Sequence, residues 1–253
     1  MPKLSVCIEM FWMDQPFASR LALVKEAGAP AFEYWDSSNK DVDAIRAAQA
    51  ATGLALAGIV SEPGFSLTKF GNEQEHLDGL TASAAVARSM GCNKLIVTAG
   101  DVVPGETYAI TRRRVVRKLQ AMAARAADEG MTLCLEPLNI QVDHPGYWLN
   151  TMAQAADIVA DVDSPHLKIL YDIYHQQLTE GNLIRNLQRF APLIGHIHVA
   201  QVPGRVELVG GEIDYASVFA AIDDVGYDGY VGLEFRGRID NGDAIRQALA
   251  LAA

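Results

Sequence analysis

Cysteine is scarce in this chain of 253 residues: Cys7, Cys92 and Cys134 stand far apart, with no C-x-x-C among them. That spacing offers neither a disulfide framework nor a zinc ribbon, so all three are expected to be reduced and buried, in a cytoplasmic protein. Positive charge is also short. Lys and Arg number 21 against 31 Asp and Glu, a formal net charge of -10. Their one cluster, Arg112-Arg113-Arg114, falls in a helix-like stretch and reads as a solvated helix face. Nucleic acid is therefore not an expected partner, because phosphate binding needs a dense basic surface. No apolar run approaches the roughly 20 residues of a membrane span. The first residues carry no basic stretch followed by an apolar one, so neither a membrane nor a secretory route is expected. No Gly-rich turn follows the first strand candidate, which counts against a doubly wound dinucleotide-binding sheet.

What is present is a regular alternation. Half of the residues are hydrophobic, enough for a sizeable core. Short apolar runs read as strands at 4–8, 31–35, 54–60, 94–98, 132–136, 167–171, 194–200 and 230–235. Helical periodicity separates them at 16–27, 42–52, 76–90, 108–129, 151–162, 183–190, 215–225 and 243–251, with Gly28, Gly53, Gly91 and Gly130 as stops. Eight strands alternating with eight helices over this length predict an α/β fold, a single (β/α)8 TIM barrel filling residues 1–253. Such barrels carry chemistry at the C-terminal ends of their strands, so polar residues there have the first claim to function.

Four consecutive strands end that way. The stretch 167–175, L-K-I-L-Y-D-I-Y-H, meets Asp172 where its strand should stop; the strands before and after it end in Glu136, His198 and Glu234. Any one of these alone would read as a salt-bridge or cap residue. In register on neighbouring strands they converge, and three converging carboxylates repel unless one is protonated or a cation intervenes. Three carboxylates and an imidazole make a mostly hard donor set. It suits Mn²⁺ or Mg²⁺ first, with Co²⁺ or Zn²⁺ as alternatives. His196, two residues before His198, faces the same side one layer deeper and reads as a hydrogen-bonded core histidine. His144 and His166 fall in loops, His76 should begin a helix, and Lys94 precedes its strand and should lie at the opposite end of the barrel.

The motifs also carry a resemblance over nearly the whole chain. L-E-P-L-N at 135–139, D-H-P-G-Y at 143–147, L-Y-D-I-Y-H at 170–175, G-H-I-H-V-A at 195–200, V-P-G-R at 202–205, G-E-I-D-Y at 211–215 and G-L-E-F-R at 232–236 appear in order. The chain resembles the hydroxypyruvate isomerase family, within the xylose-isomerase-like barrel superfamily of sugar isomerases and epimerases. The resemblance implies that Glu136, Asp172, His198 and Glu234 are metal ligands, that Glu136 and Glu234 form the acid/base pair, and that His175 and Arg205 contact substrate. It implies a metal-dependent isomerase acting on a small α-hydroxy carbonyl compound through a cis-enediolate, hydroxypyruvate going to tartronate semialdehyde. The alternative within the superfamily is a 3-epimerase of unphosphorylated ketoses. A lyase or dehydratase, a nuclease and a non-catalytic sugar-binding barrel follow behind.

On this reading Arg205 pairs with a substrate carboxylate or with sugar hydroxyls, and Glu207 holds Arg205 in place. Trp12, Glu33 and Trp35, after the first two strands, would wall the substrate side. Three departures from the family pattern stand near the site: Gln201 where an acid is usual, Leu208-Val209 in the loop after Arg205, and Val142 where ketose 3-epimerases usually carry a carboxylate. A homo-oligomer is compatible with the fold class, but no stretch marks an interface.

Overall fold

The computed structural model describes residues 1–253. Its parallel strands are β1 (Lys3–Cys7), β2 (Ala31–Glu33), β3 (Ala55–Leu56), β4 (Ile59–Val60), β5 (Lys94–Thr98), β6 (Thr132–Glu136), β7 (Leu167–Asp172), β8 (Ile194–Val199) and β9 (Tyr230–Leu233). Each is paired with its neighbours in the order β3-β2-β1-β9-β8-β7-β6-β5-β4. The two ends of that order are consecutive pieces of the stretch read above as one strand. Ala57 N still donates to Phe32 O beside β2, whereas Ser61 N donates to Ile96 O in β5. The stretch therefore keeps the β2 side on one edge, where Val60 N donates to Trp35 O, and takes β5 on the other, and this two-sided pairing closes the sheet into a (β/α)8 TIM barrel.

Helices α1 (Arg20–Glu26), α2 (Val42–Thr52), α3 (Glu73–Ser89), α4 (Tyr108–Glu129), α5 (Met152–Val162), α6 (Ile173–Thr179), α7 (Leu183–Phe190), α8 (Tyr215–Asp224) and α9 (Asn241–Leu251) wrap the barrel. Local chemistry sets their ends. Asp41 caps α2 through Ala44 N, and Gly53 closes it at φ 69. Thr151 and Gln154 form a capping box on α5. The short α6 is absent from the sequence reading. Asp172 starts it, its carboxylate accepting from Tyr174 N and His175 N. One strand-end residue thus both ends β7 and orients the turn that carries His175.

A continuous apolar cluster fills the space between sheet and helices, including Leu133 and Leu135 of β6 and Val115, Leu119 and Met122 of α4. Inside the barrel a small second cluster of Ile96, Cys134 and Leu170, with Val60 against it, forms the layer beneath the strand ends. Each fully buried aliphatic side chain stabilises the fold by about 1.5–3 kcal/mol. The reading of Arg112-Arg113-Arg114 as a wholly solvated face needs correction. Arg114 is buried and paired with Glu106 at 2.5 Å; it also donates to Thr68 O, tying α4 to the loop after β4.

Candidate metal centre and substrate cavity

The sheet register explains why the four strand-end residues meet. Asp172 is level with His198, and His198 is level with Gly232, two residues before Glu234 on the same face. Glu136 ends β6 on the other side of Asp172. One ligand atom from each of Glu136, Asp172, His198 and Glu234 lies within 4.8 Å of all the others, and all four residues are buried. His198 Nδ1 faces Glu234 Oε2 at 3.1 Å and Glu136 Oε1 at 3.8 Å. Neither of its ring nitrogens has a hydrogen-bond partner of good geometry.

The electrostatics are those of a cation site. Burial pushes Glu136 up to about 8, with Glu234 and Asp172 adding to the rise against the pull of His198. Burial also raises Asp172. Burial opposes ionisation of Glu234 too, but Arg205 and His198 outweigh it and hold the carboxyl well below the usual range. The carboxylates therefore cannot all ionise without further positive charge. The crowded buried oxygens and the unpartnered imidazole nitrogen of His198 together fit a divalent metal.

Arg205 lies in the loop after β8 at φ 55, and its Nη2 reaches Glu234 Oε2 at 2.6 Å and Asp172 Oδ2 at 3.9 Å. Trp35 Nε1 donates to the other Glu234 oxygen at 2.8 Å. His175 Nδ1 lies 2.7 Å from Asn139 Nδ2 and 3.3 Å from Asn139 N. Both are donors, so Nδ1 accepts and the ring proton sits on Nε2, which has no partner of its own. Asn139 Nδ2 also donates to Asp143 at 2.7 Å, and Tyr174 O–H donates to the same carboxylate oxygen at 2.9 Å.

These groups open onto a cavity of about 600 Å³, lined by Glu136, His198, Glu234, His175 and Arg205 among others. Its lining also includes Trp35, Asp36, Ser38, Asn39 and Glu62, together with Phe65 and His144. Phe65 and His144 stack with ring centroids 5.7 Å apart. His144 reads in the sequence only as a loop histidine, because it has no strand to give it a direction, and the structure places it at the cavity.

Three sequence expectations are corrected by these positions. Glu33 does not wall the cavity: it is buried beneath His198, its Oε2 2.8 Å from His196 Nε2 and its Oε1 3.1 Å from His198 Nε2. Burial would raise Glu33, but His198 and His196 overcome it and lower its pKa to about 2. His196 is the hydrogen-bonded core histidine expected of it. Glu207 does not hold Arg205; its carboxylate accepts from Arg238 N and Arg238 Nε at 2.8 and 3.1 Å. Trp12 packs against Phe11 outside the cavity lining, whereas Trp35, expected beside it, does line the cavity.

Gln201 also acquires a reason. Buried at the end of β8, it donates to Leu208 O and Ile213 O at 2.9 and 3.0 Å and accepts from Val202 N and Ile213 N at 3.0 and 2.8 Å. It braces the loop that carries Arg205, a task for which an ionised acid has no donors.

The chain belongs to the xylose isomerase-like TIM barrel family, which its residues 21–253 match. A putative hydroxypyruvate isomerase of Homo sapiens is 32% identical over 256 residues, covering 95% of this chain and 92% of that protein. A 2-oxo-tetronate isomerase of Cupriavidus necator is 31% identical over 245 residues, covering 94% of each. A solved structure from Brucella melitensis, titled AP endonuclease, family 2, superposes with a TM-score of 0.93 at 26% identity over 99% of both chains. Within its family, then, the chain stands among the isomerases related to hydroxypyruvate isomerase.

Proposed function

We propose that the protein is a metal-dependent isomerase that interconverts hydroxypyruvate and tartronate semialdehyde, with Glu136 and Glu234 as the acid/base pair. The observation that carries this reading is the gathering of Glu136, Asp172, His198 and Glu234 within 4.8 Å of one another at the substrate cavity. These four residues would hold Mn²⁺ or Mg²⁺, with Co²⁺ or Zn²⁺ as alternatives. Once bound, the cation supplies a Lewis acid that polarises the substrate carbonyl.

The chain's own residues do the rest. Arg205 and Trp35 each donate to one oxygen of Glu234, which keeps it a carboxylate able to take a proton from the carbon beside the carbonyl. Glu136 returns a proton to the neighbouring carbon. For hydroxypyruvate the carbon-bound proton leaves C3 and arrives at C2 while the C3 hydroxyl proton passes to the C2 oxygen, so that the C3 alcohol becomes the aldehyde and the C2 ketone the alcohol, and the same pair runs the reverse reaction. His175, fixed by Asn139, offers its Nε2–H to a substrate oxygen. Arg205, the one Lys or Arg lining the cavity, is the partner for a substrate carboxylate. The cavity has room for a four-carbon 2-oxo acid as well, its further hydroxyl facing Ser38 and Asn39.

The endonuclease title of one structural relative raises a nuclease reading. A net charge of -10 and a cavity walled by Asp36 and Glu62 oppose it, because a phosphate backbone would be repelled there. The test is a panel of hydroxypyruvate, 2-oxo-tetronate and unphosphorylated ketoses with the Mg²⁺-loaded enzyme. Turnover of the oxo acids is expected. A change at C3 of a ketose with the oxo acids untouched would replace this reading by the epimerase one.

A further inference from the structure

Beneath His198, on the side away from the cavity, lies an arrangement that the proton transfer does not use. Glu33 comes from β2, and its Oε1 stands 3.1 Å from His198 Nε2. Neither atom makes a hydrogen bond of good geometry to any group, and both are buried, so at this distance each is the group nearest to hand to satisfy the other. The second oxygen of Glu33 is held independently, by His196 Nε2 at 2.8 Å and Ser5 Oγ at 3.2 Å. The opposite nitrogen of His198, Nδ1, points among Glu136 and Glu234. Gly232 makes the close approach feasible. A Cβ there would fall 1.9 Å from Glu33 Oε1 and 2.7 Å from His198 Cδ2, driving the two groups apart.

We infer that Glu33 is a positioning residue for the metal centre: it takes the Nε2–H of His198 and so leaves the Nδ1 lone pair facing the cation. A carboxylate behind a ligating imidazole fixes the ring's tautomer and orientation and raises its basicity. The anchoring of Glu33 by His196 and Ser5 gives the carboxylate a fixed direction rather than a free one. The inference rests on the metal reading proposed above, and it adds a layer of residues that touch neither metal nor substrate. It also assigns a task to the glycine at 232, which leaves space for a carboxylate to cross the barrel interior.

The test is metal binding and the ring spectrum, not turnover. Mn²⁺ titrated into wild type, Glu33→Gln and Ser5→Ala is followed calorimetrically. Glu33→Gln is expected to bind about 10–100-fold more weakly, the usual effect of losing such an outer partner. Ser5→Ala, which leaves the Glu33–His198 pair in place, should bind within about twofold of wild type. In parallel, the imidazole nitrogen spectrum of ¹⁵N-histidine wild type loaded with Zn²⁺ should show His198 protonated at Nε2 and bare of a proton at Nδ1. If Glu33→Gln fails to fold, the wild-type spectrum decides alone. Equal Mn²⁺ affinity in wild type and folded Glu33→Gln, or a His198 proton on Nδ1, overturns the inference while the metal centre stands. A wild type that binds neither Mn²⁺ nor Zn²⁺ overturns the metal reading, and the inference with it.

Discussion

Arg205 Nη2 lies 2.6 Å from Glu234 Oε2, and this contact ties the one guanidinium of the cavity to one of its two proposed acid/base residues. With Trp35 on the other oxygen, Glu234 is stabilised as an ion rather than as an acid. Glu234→Gln keeps the shape and the donor contact to Arg205 at one end but removes the base. Turnover should fall by about 10²–10⁴-fold with circular dichroism unchanged, read by steady-state kinetics. A variant retaining more than a tenth of the wild-type rate (about 0.1 of it) would remove Glu234 from proton transfer.

Asp172 has two tasks that one substitution separates. Its Oδ1 caps α6, accepting from Tyr174 N at 2.7 Å and His175 N at 3.1 Å. Asparagine caps a helix about as well as aspartate. Asp172→Asn should therefore melt close to wild type yet lose metal on dialysis, as measured by elemental analysis. Full metal content in that variant would take Asp172 out of the ligand set.

Gln201→Glu tests the brace under the Arg205 loop. Two buried carbonyls, of Leu208 and Ile213, lose their donor to an ionised side chain. An unsatisfied buried acceptor costs about 1–3 kcal/mol. At about 2–4 °C per kcal/mol for a chain of this size, the melting temperature should drop by several degrees. The KM should rise with it, because the loop carries Arg205. A melting curve that superposes on wild type would refute the brace.

His76 gives the fold an acid-sensitive point outside both the candidate metal residues and the cavity lining. It is buried on α3, and its Nε2 lies 3.2 Å from both Ser66 Oγ and Asn72 Nδ2. Burial lowers its pKa, helped by Lys118 and opposed by Ser66, Glu75 and Glu73. The unfolded chain titrates near 6.5. Above that value the stabilisation is complete. As pH falls below it, the unfolded chain takes up a proton that the folded protein resists, and stability is lost. Melting temperatures from pH 7.5 down to 5 should fall more steeply for wild type than for His76→Gln. Equal slopes would show that His76 does not contribute.

The barrel and the convergence of Glu136, Asp172, His198 and Glu234 were legible in the sequence for one reason. Strand ends in a parallel barrel have a common address, and an apolar run that stops at an acid gives it away. Depth within the barrel has no such mark. Glu33 also ends a strand, yet it points under His198 because Gly232, on another strand, leaves the space. Glu207 and Arg114 found partners in Arg238 and Glu106, choices made by loop paths that periodicity does not describe. Trp12 and Trp35 both follow early strands, and only the turn geometry decides which one reaches the cavity. The helix α6 was hidden because its cap, Asp172, was already read as a strand end.

The central claim is tested most directly by proton NMR of hydroxypyruvate in D₂O. Parallel tubes would hold the Mg²⁺-loaded enzyme, the same enzyme with EDTA, and Glu234→Gln. The account predicts conversion to tartronate semialdehyde with deuterium entering at C2 in the first tube, and unchanged hydroxypyruvate in the other two. Signals that stay unaltered with wild type loaded with Mg²⁺, Mn²⁺, Co²⁺ or Zn²⁺, or a conversion that survives EDTA, would contradict it.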